Sequence, residues 1–161
     1  MGELGVHFGK PKINIEKIVA NKNKIIGQLT GGLAGLAKQR KVEIVNGYGK
    51  FTSPKTIAVE DKDGNTKTIS FDDVIIAAGS SVMKIPGFPY DDERLMDSTG
   101  ALELKEVPKR LLVIGGGIIG LEMATVYDAL GSKVSIVELS PGLIPGCDRD
   151  LVRPLEKRVK K

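Results

Sequence analysis

The stretch LLVIGGGIIGLEMATVYDALGSKVSIVEL, residues 111–139, constrains the fold of this chain more than any other. Residues 111–114 are a short unbroken apolar run and read as a buried strand. Gly115, Gly117 and Gly120 follow at once in the spacing G-x-G-x-x-G. A helical run continues to Gly131, which stands where a helix-ending glycine belongs. KVSIVEL is the next strand, and Glu138 lies at its end, 23 positions beyond Gly115. This order predicts a β-α-β unit with parallel strands at residues 111–114 and 134–139.

Each part has a physical task in holding a dinucleotide. Gly115 permits a tight turn, Gly117 lets a pyrophosphate approach the backbone, and Gly120 lets the helix pack closely on the strands. The helix N-terminus offers N–H groups and the positive end of its dipole to phosphates. Glu138 can accept hydrogen bonds from ribose hydroxyls. No Arg or Lys occurs from Leu139 to Cys147 to neutralise a 2′-phosphate, so NAD is favoured over NADP. A purely structural glycine turn would not require the stop glycine, second strand and acid in their places.

Upstream, a long helical pattern begins after Pro11, with Asn14 as N-cap and Glu16 in the first turn. Ile18, Ile25, Leu29, Leu33 and Leu36 recur at helical spacing, and Gly31, Gly32 and Gly35 invite close packing against a neighbour. KVEIVNGYGKF is strand-like around Val42 and Ile44 and is interrupted by Gly47 and Gly49. TIAVEDKDGNTKTISF reads as a hairpin around Asp63 and Gly64. VIIAAGS reads as a buried parallel strand over residues 74–78, and KIPGFPYDDER as a connection between domains. Ser98 is expected to cap a short helix running to Leu104.

The net charge of +4 comes largely from residues 153–161. With no aromatics interleaved there, a solvated helix face is the better reading than a nucleic-acid patch. The single cysteine, Cys147, permits no internal disulfide or redox pair, and the single histidine, His7, has no metal-ligand cluster around it. No apolar stretch resembles a signal peptide or a membrane span, so a cytoplasmic location is expected.

The tracts QLTGGLAGLAKQRKVEIVNGYGKF, VIIAAGS, DSTGALELKEVPKRLLVIGGGIIGLEM and YDALGSKVSIVEL resemble the dihydrolipoamide dehydrogenases. These are flavoproteins of the 2-oxo acid dehydrogenase complexes, within the pyridine nucleotide-disulfide oxidoreductase family. The resemblance covers essentially the whole chain but only a middle slice of the family's length, which implies a fragment. The implied fold is α/β: part of a FAD-binding domain (1–97) plus the first β-α-β of a Rossmann-like NAD-binding domain (98–161), truncated. The implied parent activity passes electrons from dihydrolipoyl groups through a disulfide and FAD to NAD. Its implied partners are the dihydrolipoyl domain of those complexes and a second copy of the chain, with no nucleic acid and no membrane.

The resemblance also implies residue roles. Gly49 matches a glycine near the FAD adenine; from the residues alone a β-bulge is preferred. Ala78, Gly79 and Ser80 match the turn closing the FAD domain on its cofactor. Gly115, Gly116, Gly117, Ile118, Ile119, Gly120, Leu121 and Glu122 match the NAD loop and helix start, and Glu138 the ribose-binding acid. Glu122 matches a glutamate near the nicotinamide; its plainer reading is an exposed first-turn acid. The family's redox cysteines, flavin-facing lysine and His–Glu pair have no counterparts here, so no catalytic residue is assigned and the chain alone is expected to be inactive. A non-catalytic nucleotide-binding or interaction module of flavoprotein ancestry is the alternative. A flavin-free two-domain NAD dehydrogenase ranks last, because VIIAAGS precedes a linker and a separate nucleotide motif.

Overall fold

The computed structural model describes Gly5, Gly9 and residues 11–160. His7 lies outside the described residues. The chain divides into two compact units, one formed by Met1–Asn21 with Lys84–Lys161 and the other by Lys22–Met83.

The first unit is built on a parallel strand pair. Strand β4 (Arg110–Ile114) pairs with β5 (Lys133–Val137) in the register Leu111↔Val134 and Val113↔Ile136, and helix α3 (Ile118–Leu130) connects them. The expected β-α-β is therefore present. Gly131 ends α3 at φ 108, a left-handed conformation costly for a residue with a Cβ, and its amide donates to the Asp128 carbonyl.

Helix α2 (Ser98–Glu103) packs on the same layer. Its cap is Asp97, not Ser98: the Asp97 carboxylate accepts from the Gly100 amide at 2.9 Å. Either side chain suits an N-cap, and the extended backbone of Asp97 (φ −85, ψ −175) decides between them. The core gathers Ala101, Leu104 and Tyr127, with Leu111, Met123, Leu130 and Val134 packed around it. Tyr127 is 1% exposed, and its hydroxyl donates to the Ala101 carbonyl at 2.9 Å. The first turns of helix α1 (Ile15–Gln39) add Ile15 and Val19 to this core.

Only one face of the β4–β5 pair is covered. Leu111 and Val113 are half-buried, whereas Leu112, Ile114 and Val137 stand exposed. The apolar run that reads as buried on both sides has a helix on one side alone. The unit ends in helix α4 (Arg149–Val159), which buries Val152 and carries most of the basic tail.

The second unit holds an antiparallel sheet in the order β1 (Tyr48–Ser53), β2 (Thr56–Glu60), β3 (Thr66–Ser70). The hairpin around Asp63 and Gly64 forms as expected. Asp61 Oδ1 organises its turn by accepting from the amides of Asp63 and Asn65, both at 2.9 Å. Two other expectations are corrected. Residues 42–46 form no strand, and pairing starts at Tyr48. Residues 74–80 are irregular, with Ile75 92% exposed instead of buried in a parallel strand. A strand exists only where a neighbour completes its hydrogen bonds, and no described segment pairs with these residues.

Helix α1 forms where its pattern places it, and Asn14 Oδ1 caps it by accepting from the Lys17 amide at 2.8 Å. The packing expected at its small residues is not found. A side chain at Gly31, Gly32 or Gly35 would meet nothing within 4 Å, and Ile25, Leu29, Leu33 and Leu36 are exposed.

Candidate functional site

The turn between β4 and α3 brings the glycines and the acid together. Gly115 continues the β4–β5 ladder, its amide donating to the Val137 carbonyl at 2.8 Å, and then turns at φ 108. Gly117 is the N-cap of α3 and has no side chain to close the helix end. The first-turn N–H groups thus lack an intrahelical carbonyl and a capping side chain, as an anion site requires.

The glycines are not equivalent. A Cβ at Gly120 would overlap the Gly115 carbonyl and crowd Val113, so this position serves the packing of helix on strand. A Cβ at Gly117 would meet nothing within 4 Å. That open space is the place where a ligand's phosphates could reach the backbone. Gly116 is buried, and a Cβ there would lie 2.6 Å from the Leu143 side chain and 3.1 Å from that of Glu138.

Glu138 follows β5 directly and closes onto the turn. Its Oε2 accepts from the Gly116 amide at 2.7 Å and its Oε1 from the Ser140 amide at 2.8 Å. These amides, Ser140 first, hold its carboxyl below the usual glutamate range. Each oxygen keeps a lone pair, so the carboxylate remains an acceptor for a hydroxyl pair.

The remaining helix-start residues divide by face. Ile118, Ile119 and Glu122 are exposed and Leu121 is buried. Glu122 is the fifth residue of α3, so it lies beyond the first turn in which the sequence reading placed it. Gly49, Ala78, Gly79 and Ser80 belong to the second unit. Gly49 sits in regular pairing opposite Val59, with the Ile57 side chain across the position of a Cβ. The irregularity in β1 falls between Phe51 and Ser53, so a bulge does not explain this glycine. Ala78, Gly79 and Ser80 lie in an exposed irregular segment, with Gly79 at φ 70.

Sequence reasoning missed the loop after Glu138. The Ile144 amide donates to the Gly116 carbonyl at 2.9 Å, and Leu143 fills the space beside Gly116. Ile144 adopts φ 47, which costs a β-branched residue about 1–2 kcal/mol. The cluster Ser140, Pro141 and Gly142 signals a turn, but not the partner on which that turn closes.

A family profile described as pyridine nucleotide-disulphide oxidoreductase matches residues 6–161. The chain belongs to that family. It is 58% identical over 158 residues to a dihydrolipoyl dehydrogenase of Vibrio cholerae, covering 98% of this chain and 33% of the relative. A dihydrolipoyl dehydrogenase of Vibrio parahaemolyticus is 54% identical over 160 residues, 99% of this chain and 34% of the relative. Among solved structures, a Cu(II) complex of the HOCl-induced flavoprotein disulfide reductase RclA from Escherichia coli superposes with a TM-score of 0.75 at 28% identity. That match covers 92% of this chain and 33% of the other. The chain spans about a third of the length of the curated relatives it matches. No described helix is long and apolar enough to cross a membrane, and no described group of His, Cys, Asp and Glu could hold a metal ion.

Proposed function

We propose that this chain is the part of a cytoplasmic dihydrolipoyl dehydrogenase that carries the NAD-binding turn together with a portion of the FAD-binding domain. In that reading residues 98–161 open the NAD domain and residues 1–97 belong to the FAD domain. The carrying observation is the Glu138 carboxylate bound to the Gly116 amide beside the open position at Gly117. The amides at the start of α3 would receive the pyrophosphate, and Glu138 the adenosine ribose. When bound, NAD supplies a hydride acceptor and FAD a two-electron carrier. The protein's own part is to bind and orient.

The residues fit the two cofactors unequally. The turn at residues 115–120 and Glu138 make a cradle for one dinucleotide. Gly49, Ala78, Gly79 and Ser80 would give FAD only peripheral contacts, and no second strand–glycine turn–helix unit occurs among the described residues. Exposed Leu112, Ile114 and Val137, and the apolar residues of α1, suit a protein in which further segments cover them. The proposed partners of that protein are a dihydrolipoyl domain and a second copy of itself.

Calorimetric titration tests the reading. NAD binds the wild-type chain weakly, NADP binds less well, and Gly117→Val removes the NAD signal. Equal NAD affinity of wild type and variant would make the turn purely structural and favour an interaction module of flavoprotein ancestry.

A further inference from the structure

Arg149 begins α4, just beyond the stretch from Leu139 to Cys147 that carries no Lys or Arg. It folds back on the loop after Glu138. Its Nη1 donates to the Leu143 carbonyl at 2.8 Å. Its guanidinium lies against Gly142, where a Cβ would meet Nη2 at 3.1 Å and Cζ at 3.2 Å. Ser140 Oγ donates to the Gly142 carbonyl at 2.8 Å, and the Ser140 amide holds Glu138 Oε1. Leu143 packs beside Gly116, whose carbonyl accepts from Ile144 and whose amide donates to Glu138 Oε2. Contacts thus run from Arg149 through residues 140–144 to both oxygens of Glu138 and to both backbone groups of Gly116.

We propose that Arg149 is a positioning residue for the adenosine half of the dinucleotide, acting through residues 140–144 to hold Glu138 on the glycine turn. The inference rests on the dinucleotide reading above. Arg149 suits the task because one N–H of its guanidinium donates to the Leu143 carbonyl while the rest of the group lies against Gly142. A lysine could donate to the same carbonyl but has no planar group to set against Gly142.

The test uses the whole chain with ADP-ribose and nicotinamide mononucleotide as probes, titrated by calorimetry and followed by NMR at the Gly116 amide. Arg149→Ala should weaken ADP-ribose about fivefold, the affinity equivalent of one net hydrogen bond. Nicotinamide mononucleotide affinity should be unchanged. Arg149→Lys should recover part of the loss, and Leu143→Ala, which keeps the carbonyl that Arg149 bonds but removes the side chain packed beside Gly116, should repeat the Arg149→Ala pattern from the glycine-turn end of the chain of contacts. The Gly116 amide signal should move toward that of Glu138→Gln in both damaging variants. An Arg149→Ala protein with wild-type ADP-ribose affinity overturns this inference and leaves the dinucleotide reading standing. A folded wild-type chain that binds no ADP-ribose overturns the dinucleotide reading, and this inference with it.

Discussion

The amide of Gly116 donates to Oε2 of Glu138 at 2.7 Å across 22 positions of sequence. The bond ties the turn that opens α3 to the acid that follows β5, so one direct contact joins the phosphate and ribose ends of the proposed site. It also makes the site sensitive to protonation of a single carboxyl.

The folded-state pKa of Glu138 is lowered, chiefly by the Ser140 and Gly116 amides. The stabilisation it brings is therefore complete above the unfolded value of about 4.3 and lost as pH falls through the lower folded value. NMR titration of the Gly116 amide should show a midpoint below that of an unperturbed glutamate. In thermal melts Glu138→Gln should lie below wild type at neutral pH and converge with it in acid. A Gly116 amide shift indifferent to acid would show that the bond is not made in solution.

Gly120 and Gly117 should separate stability from binding. Gly120→Ala places a Cβ on the Gly115 carbonyl. The overlap should cost about 1–3 kcal/mol, outweighing the roughly 1 kcal/mol helix-propensity gain of alanine. Gly117→Ala meets open space and should cost less than about 1 kcal/mol while weakening NAD. Chemical denaturation of both variants, with NAD titration of the second, checks the pair; equal losses of stability would contradict it.

Asp97→Ala should destabilise the first unit by about 1 kcal/mol, because it removes the acceptor for the Gly100 amide. Ser98→Ala should stay within about 0.5 kcal/mol of wild type. The reverse order in denaturant melts would restore Ser98 as the cap.

Tyr127→Phe leaves the Ala101 carbonyl without its buried donor, a loss of about 1–3 kcal/mol. Tyr127→Ala also opens a cavity among Ala101, Leu104 and Leu111 and should cost about 3–5 kcal/mol, enough to unfold a marginal domain. A Phe variant as stable as wild type would show that the hydroxyl bond contributes nothing net.

The chain mixed with FAD and desalted should show no flavin band, since Gly49, Ala78, Gly79 and Ser80 offer only peripheral contacts. Turnover of dihydrolipoamide with NAD is likewise not expected from a chain whose single thiol is Cys147. A stoichiometric flavin absorbance after desalting would refute the first statement, and turnover that survives Cys147→Ser the second.

What the sequence determined by itself was local or had a fixed spacing. The β-α-β unit, the helix from Ile15 with its Asn14 cap, the hairpin at Asp63 and Gly64 and the stop at Gly131 depend on periodicity and on backbone conformations that few residues tolerate. The tertiary structure decided whatever needed a neighbour. Residues 74–78 carry a strand's composition, yet nothing described pairs with them, and the stripe of α1 from Ile25 to Leu36 stays exposed. Glu138 could be named as the acid from its position. That its two oxygens take the amides of Gly116 and Ser140, and that Ile144 and Arg149 hold that closure, depends on how a loop folds back. Spacing specifies which residues can meet along one element, whereas loop closure is set by hydrogen bonds and packing between segments that no periodicity links.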